Sequence, residues 1–186
     1  DPSGNTFMVS QLKGTIDVDP GPGIEELNSA NGQTWIGIWP TSVCVGKFDP
    51  NGIRLWTKHF GYSPMTFPLA TDVDALGNVY ITGGFSSVAD FDPGPGTHMM
   101  TSFCNVDGFV VKLDPDGELL WAYQFGGLDD DHGWNLDVDA NGNVIRSTEF
   151  AKGTTPGSDP SLVVAAAASD RVTVQVYDKA DRRTYR

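Results

Sequence analysis

The 186 residues include only two cysteines, three histidines and twelve basic side chains, against 24 acidic ones. Each scarcity excludes a class of function. Cys44 and Cys104, with no Cys-x-x-Cys and no His beside them, cannot furnish the four ligands of a structural zinc site. They are either one disulfide or two buried thiols, and separate thiols are the favoured reading. A formal net charge of −12 leaves too few Lys and Arg to neutralise a phosphate backbone, so nucleic acid is not an expected partner. No run approaches the ~20 apolar residues of a membrane-spanning helix. No stretch keeps a helical period, and no Gly-x-Ser-x-Gly, His-Glu-x-x-His or phosphate-loop pattern occurs. The opening DPSGNTFMVS has no signal-peptide character and reads as a position already inside a repeat.

What the chain has is turn chemistry. Gly (22) and Pro (12) together exceed the average share of roughly 12%. They fall in short motifs, where Gly supplies positive φ and Pro presets φ for tight turns between short strands. The acidic excess suits an extracellular setting and divalent cations. Residues 1–169 carry 21 acidic and 7 basic side chains, and 170–186 carry 3 and 5, so the tail departs from the rest.

Self-similarity organises the sequence. Residues 1–23 match 74–96 at nine of 23 positions, including the whole DPGPG. Residues 45–61 match 110–126 at nine of 17, and 72–85 match 137–150 at eight of 14. The last two matches share an offset of 65 and the first has 73, which places about eight extra residues near 31–42. Each unit reads as four strands, here LATDVDA (69–75), VYITGGF (79–85), GFVVKLD (108–114) and ELLWAYQF (118–125), with a long loop carrying DFDPGPG after the second. Trp56 and Trp121 share one repeat position and Phe60 and Phe125 another, as rings that pack one sheet on the next do.

The expected fold is therefore all-β, a β-propeller-type array of four-stranded antiparallel blades in about two and a half repeats. Residues 1–68 form the C-terminal part of a first unit with its insertion, 69–127 a complete unit, and 128–186 the start of a third with a divergent tail. SLVVAAAA (161–168) and RVTVQVYD (171–178) have the pattern of a last hairpin. So few blades leave faces and edges exposed, which implies further blades of a longer chain or self-association.

The set DVDxxGNVYITG, DFDPGPG and GFVVKLDPDGELLWA resembles the bacterial SBBP family, the seven-bladed β-propeller repeats, over about residues 1–150. The resemblance implies a propeller, a secreted or cell-surface location and a binding or scaffolding role toward a protein or glycan partner. It brings no catalytic residues. The inserted stretch and the loss of the motif after Phe150 depart from the family pattern.

Four places have the residue types for chemistry. Asp17 with Asp19, and Asp90 with Asp92, are carboxylate pairs two residues apart ahead of Pro-Gly-Pro-Gly; they are candidate calcium ligands, or acceptors of backbone amides in a turn. DVDANGN (137–143) has the look of a calcium loop without its closing acid, and Asp139 and Asn141 also suit a plain turn. Asp131 and His132 sit at a junction between units, where a His beside carboxylates suits a base or a ligand contact. Trp35 and Trp39 lie in the insertion, where repeat packing does not require them, and suit a ligand-binding surface. His59 and His98 read as ordinary surface residues. The expected function is a non-catalytic extracellular binding or scaffold segment. The alternatives are part of a propeller lyase or hydrolase with an axial-face site, and a calcium-stiffened adhesion module.

Overall fold

The computed structural model describes residues 1–19, 21–30, 40–103, 105–128, 130–138, 142 and 144–146, together with the backbone of three short segments near the C-terminus. Among the described residues the chain is all-β. In the first unit these are β1 (Thr6–Lys13), β2 (Thr15–Asp17), β3 (Glu26–Asn28), β4 (Thr41–Phe48) and β5 (Arg54–Ser63). The second has β6 (Thr66–Val73), β7 (Val79–Phe85), β8 (Val88–Asp90), β9 (Met99–Thr101), β10 (Asp107–Leu113) and β11 (Leu119–Phe125). Beyond it lie β12 (Asp137–Val138), β13 (Val144–Arg146), β14 (Val172–Val174), β15 (Val176–Tyr177) and β16 (Thr184–Tyr185).

The second unit is an antiparallel meander in the order β11-β10-β7-β6. The first repeats three of those strands as β1-β4-β5, with β1, β4 and β5 at the sequence positions of β7, β10 and β11. Of the inserted stretch, 31–39 lie outside the described residues, while Thr41 and Ser42 already belong to β4 and face Lys13 and Leu12. In the first two units the expected long loop is itself a ribbon: β2 pairs with β3, and β8 with β9. Three-residue strands have too few positions to show alternation, which hides them in the sequence. In the third unit β12 pairs with β13 in antiparallel fashion. Val172–Val174 then runs parallel to β13, and β15 pairs with β16; residues 161–168 lie outside the described set.

Turns join the long strands by one repeated device. Asp1, Asp49, Asp74 and Asp114 each use Oδ1 to accept two backbone amides, from the residues two and four places on. The Gly three places on has φ near +80° and donates its amide to the Asp carbonyl. Only Gly takes that φ without cost, so Asp-x-x-Gly is required by the turn itself.

The sheets stack face to face. Val43, Val45 and Phe60 of the first meet Val79, Ile81, Phe85, Phe109, Val111 and Leu113 of the second, and Phe91 of the β8–β9 ribbon enters the same core. Phe91 lies 5.0 Å from both Phe85 and Phe109, ring centroid to centroid. The opposite face of the second sheet, with Tyr80, Val110, Trp121 and Phe125, packs against Leu136 and Val144 of the third unit. Alternation along each strand divides the residues between the two faces, which is why the sheet reads as continuously apolar.

Candidate functional site

The paired carboxylates lie at the ends of the short ribbons. Asp17 Oδ1 accepts the amides of Asp19 and Glu25, at 3.0 and 2.9 Å, and Asp19 Oδ1 accepts that of Gly21 at 2.7 Å. The second copy repeats the arrangement: Asp90 Oδ1 accepts from Asp92 and His98, and Asp92 Oδ1 from Gly94. Those amides hold the Asp17 carboxyl below its ordinary range, the Glu25 donor first. A Cβ on Gly23 or Gly96 would overlap Oδ2 of Asp19 or Asp92, so the final Gly of DPGPG makes room for the carboxylate. Basic partners stand nearby. Arg54 pairs with Glu25, and Lys58 with Glu118 at 2.6 Å. Among the described residues no group of three or more His, Cys, Asp or Glu side chains is placed to hold a metal ion. Asp139 and Asn141 lie outside the described residues, as do Trp35, Trp39 and Cys104. Cys44 is a free, buried thiol whose pKa burial raises.

Asp131 and His132 are brought to a built environment where the second unit hands over to the third. The segment is strapped to the end of the second sheet: the Asp131 amide donates to Val106 O at 2.8 Å, and the Gly133 amide to Gly83 O at 3.1 Å. Asp131 Oδ2 accepts the Gly127 amide at 2.8 Å. Glycines make the approach possible. A Cβ on Gly84 would crowd the Phe67 ring and His132 Cδ2, and one on Gly133 would overlap the Thr82 hydroxyl.

Two features of this junction were not expected from the sequence. The first is a row of rings. Phe67 and His132 pack at a tilt with centroids 5.6 Å apart, and His132 and Trp134 likewise at 5.5 Å. Trp134 is 50% exposed, which leaves a ring available to a ligand. Phe67 and His132 are 65 residues apart, at the same repeat position, and their differing identities hid the relationship. The second is Asp107, fully buried at the start of β10. Its Oδ2 accepts the Phe103 amide at 3.0 Å, whereas its Oδ1 is buried with no hydrogen-bond partner among the described residues. Burial pushes this carboxyl up to about 6; the Phe103 amide opposes the rise and the charge of Asp131 adds to it. A buried carboxyl raised toward neutrality, in part by the charge of Asp131, has the character of a group that can hold a proton. The repeat mate of Asp107 is Ser42, so repetition gave no signal for it.

His59 is half-buried rather than a surface residue; its ring meets Tyr62 edge to face at 5.0 Å, and burial lowers its pKa. No family model matches this sequence, and no curated protein matches it.

Proposed function

We propose that the chain is a non-catalytic segment of a β-propeller-type repeat protein, acting outside the cell as a binding and scaffold module for a glycan or protein partner. The observation that carries the reading is the ring row Phe67–His132–Trp134, half open at Trp134 and held on a rigid, glycine-fitted support. Ring faces with low conformational freedom favour sugars and extended peptide segments. The repeated acidic motifs support the same reading, because their carboxylates are spent on backbone amides inside turns. The stacking of repeat units and the resemblance of residues 1–150 to SBBP repeats support the propeller-type architecture.

The test is titration of the chain with a panel of oligosaccharides and with bacterial surface polysaccharide, read by tryptophan fluorescence. Saturable binding that Trp134→Ala abolishes without moving the melting temperature upholds the reading. Binding that survives Trp134→Ala and His132→Ala unchanged would remove the ring row from it.

A second reading, part of a glycan-cleaving propeller enzyme, is favoured by Asp107 with its raised pKa beside Asp131. Product release from the same panel that Asp107→Asn and Asp131→Asn each eliminate would establish it over the first.

A further inference from the structure

Where the second unit hands over to the third, two buried carboxyls stand beneath one strap of chain. Gly126 lies on the Asp107 carboxyl: a Cβ there would come within 2.6 Å of both its Cγ and its Oδ1. The Gly127 amide donates to Asp131 Oδ2, and the Asp131 amide to the carbonyl of Val106, the residue before Asp107. The Gly133 amide closes the strap on the Gly83 carbonyl. In the first unit the same repeat positions hold Ser42 and Thr66, two fully buried hydroxyl residues, with Gly61 in the place of Gly126. A Cβ on Gly61 would crowd Thr66 just as closely. The packing is repeated, and the charge is not.

We propose that Asp107 is a proton-operated latch on this strap: with its carboxyl neutral, segment 126–133 stays docked on the second sheet, and with it ionised the segment opens locally. The surroundings of Asp107 set the direction. The loop before β10 offers the Phe103 amide to Oδ2, and β11 the Gln124 side-chain amide at 3.4 Å, both uncharged. From β7, Phe85 stands opposite. From the strap comes Asp131, whose negative charge acts on Asp107. Asp130 is exposed, and His132 packs against Phe67 and Trp134. No ion pair reaches Asp107 among the described residues, and its Oδ1, against Gly126, accepts no hydrogen bond from them. A second negative charge buried here meets no cation, so moving the strap aside and admitting water relieves it.

Burial pushes this carboxyl from 3.8 up to about 6 while the strap is closed. A strap-open state in which it regains 3.8 binds the proton more weakly. Closure is therefore favoured most below 3.8 and weakens as pH rises through 6. With those two values, the open-to-closed ratio grows about tenfold between about pH 5 and pH 7. His132 and Trp134 ride on the strap, so the ring row is held most firmly in acid. That consequence for a ligand rests on the binding role proposed above, whereas the latch itself does not.

The test is native-state hydrogen exchange on the full chain from about pH 5 to about pH 7, with and without low urea. Rates are divided by those of an unstructured peptide at the same pH. They are read at the Gly127, Asp131 and Gly133 amides of the strap and at Val111 in the middle of β10. The strap amides are expected to exchange through an opening that low urea hardly affects. Their protection should fall about tenfold over this range in the wild-type chain and stay level in Asp107→Asn. Protection that does not fall in the wild type, or falls equally in Asp107→Asn, would overturn the proposal. So would strap amides that match Val111 in protection and in urea response, since the strap would then open only with the whole chain. If Asp107→Asn does not fold, the Asp107 carboxyl carbon of the wild type is titrated by NMR. Its midpoint should coincide with that of the protection loss, and two separate midpoints would equally overturn the latch.

Discussion

The indole N–H of Trp56, on the last strand of the first sheet, donates to the carbonyl of Pro115 in a turn of the second at 3.1 Å. The Lys47 ammonium reaches the same oxygen at 2.9 Å. Trp121 holds the same repeat position one unit later, yet its Nε1 is buried with no hydrogen-bond partner among the described residues. The two tryptophans thus share packing and differ in one bond. Trp56→Phe should cost about 1 kcal/mol more than Trp121→Phe, since a net neutral hydrogen bond contributes roughly 0.5–1.5 kcal/mol and an unpaired buried donor opposes folding. Urea unfolding of both variants checks this; equal losses would mean that the bond to Pro115 carries no net stability.

Glycines divide into those fixed by φ and those fixed by space, and the two kinds should respond differently to alanine. Gly52 has φ +80° with nothing within 4 Å of an added Cβ, so Gly52→Ala pays strain alone, about 1 kcal/mol. Gly83 and Gly108 would set a Cβ into the Phe67 backbone and the Phe125 ring respectively. Gly83→Ala should cost at least 2–3 kcal/mol through forced displacement of β6. A Gly83→Ala variant as stable as Gly52→Ala would show that β6 is loosely held.

How far the sequence disclosed these relationships depends on what each one rests on. Rings that recur at one repeat position, such as Trp56 with Trp121, are visible because identity is kept. The strands from 79–85, 108–114 and 118–125 were visible because each is long enough to show its apolar pattern, and they appear as β7, β10 and β11. The DPGPG loops concealed the β2–β3 and β8–β9 ribbons, since three-residue strands held by Asp17 and Asp90 have no period to detect. Asp107 and Phe67 lay below detection for another reason. Their importance comes from what the glycines at 83, 84 and 126 allow to approach, and contact across units leaves no trace in local spacing.

The amide bonds at Asp17, Asp19, Asp90 and Asp92 bear on calcium. With those oxygens engaged by backbone donors, excess calcium and EDTA should give melting curves that agree within about 1 °C, because a ligand raises stability only as RT ln(1 + [L]/Kd). A rise of several degrees that Asp90→Ala and Asp92→Ala remove would instead make the ribbon ends metal sites. Asp90→Ala should in either case destabilise by about 1–2 kcal/mol, through the amides of Asp92 and His98 left without an acceptor.

Two buried carboxyls give opposite dependences on pH, and their windows separate them. At Asp74 burial raises the pKa, but donors from Asn78, Tyr80 and Leu76 outweigh it and the net shift is downward. Its stabilisation is present above the unfolded value of 3.8 and is lost as pH falls through the folded pKa. Asp107 is raised from 3.8 to about 6, so its contribution is complete below the unfolded value and disappears as pH rises through 6. The Asp107 shift amounts to about 3 kcal/mol lost between roughly pH 4 and 7, at 1.36 kcal/mol per unit. Asp107→Asn keeps the shape and cannot ionise, so the unfolding free energy of this variant should lack that decline while the weakening below pH 4 from Asp74 persists. Parallel stability curves for the two proteins from pH 4 to 7 would show that Asp107 is ionised throughout, and would leave the acid–base reading of the Asp107–Asp131 pair without its proton.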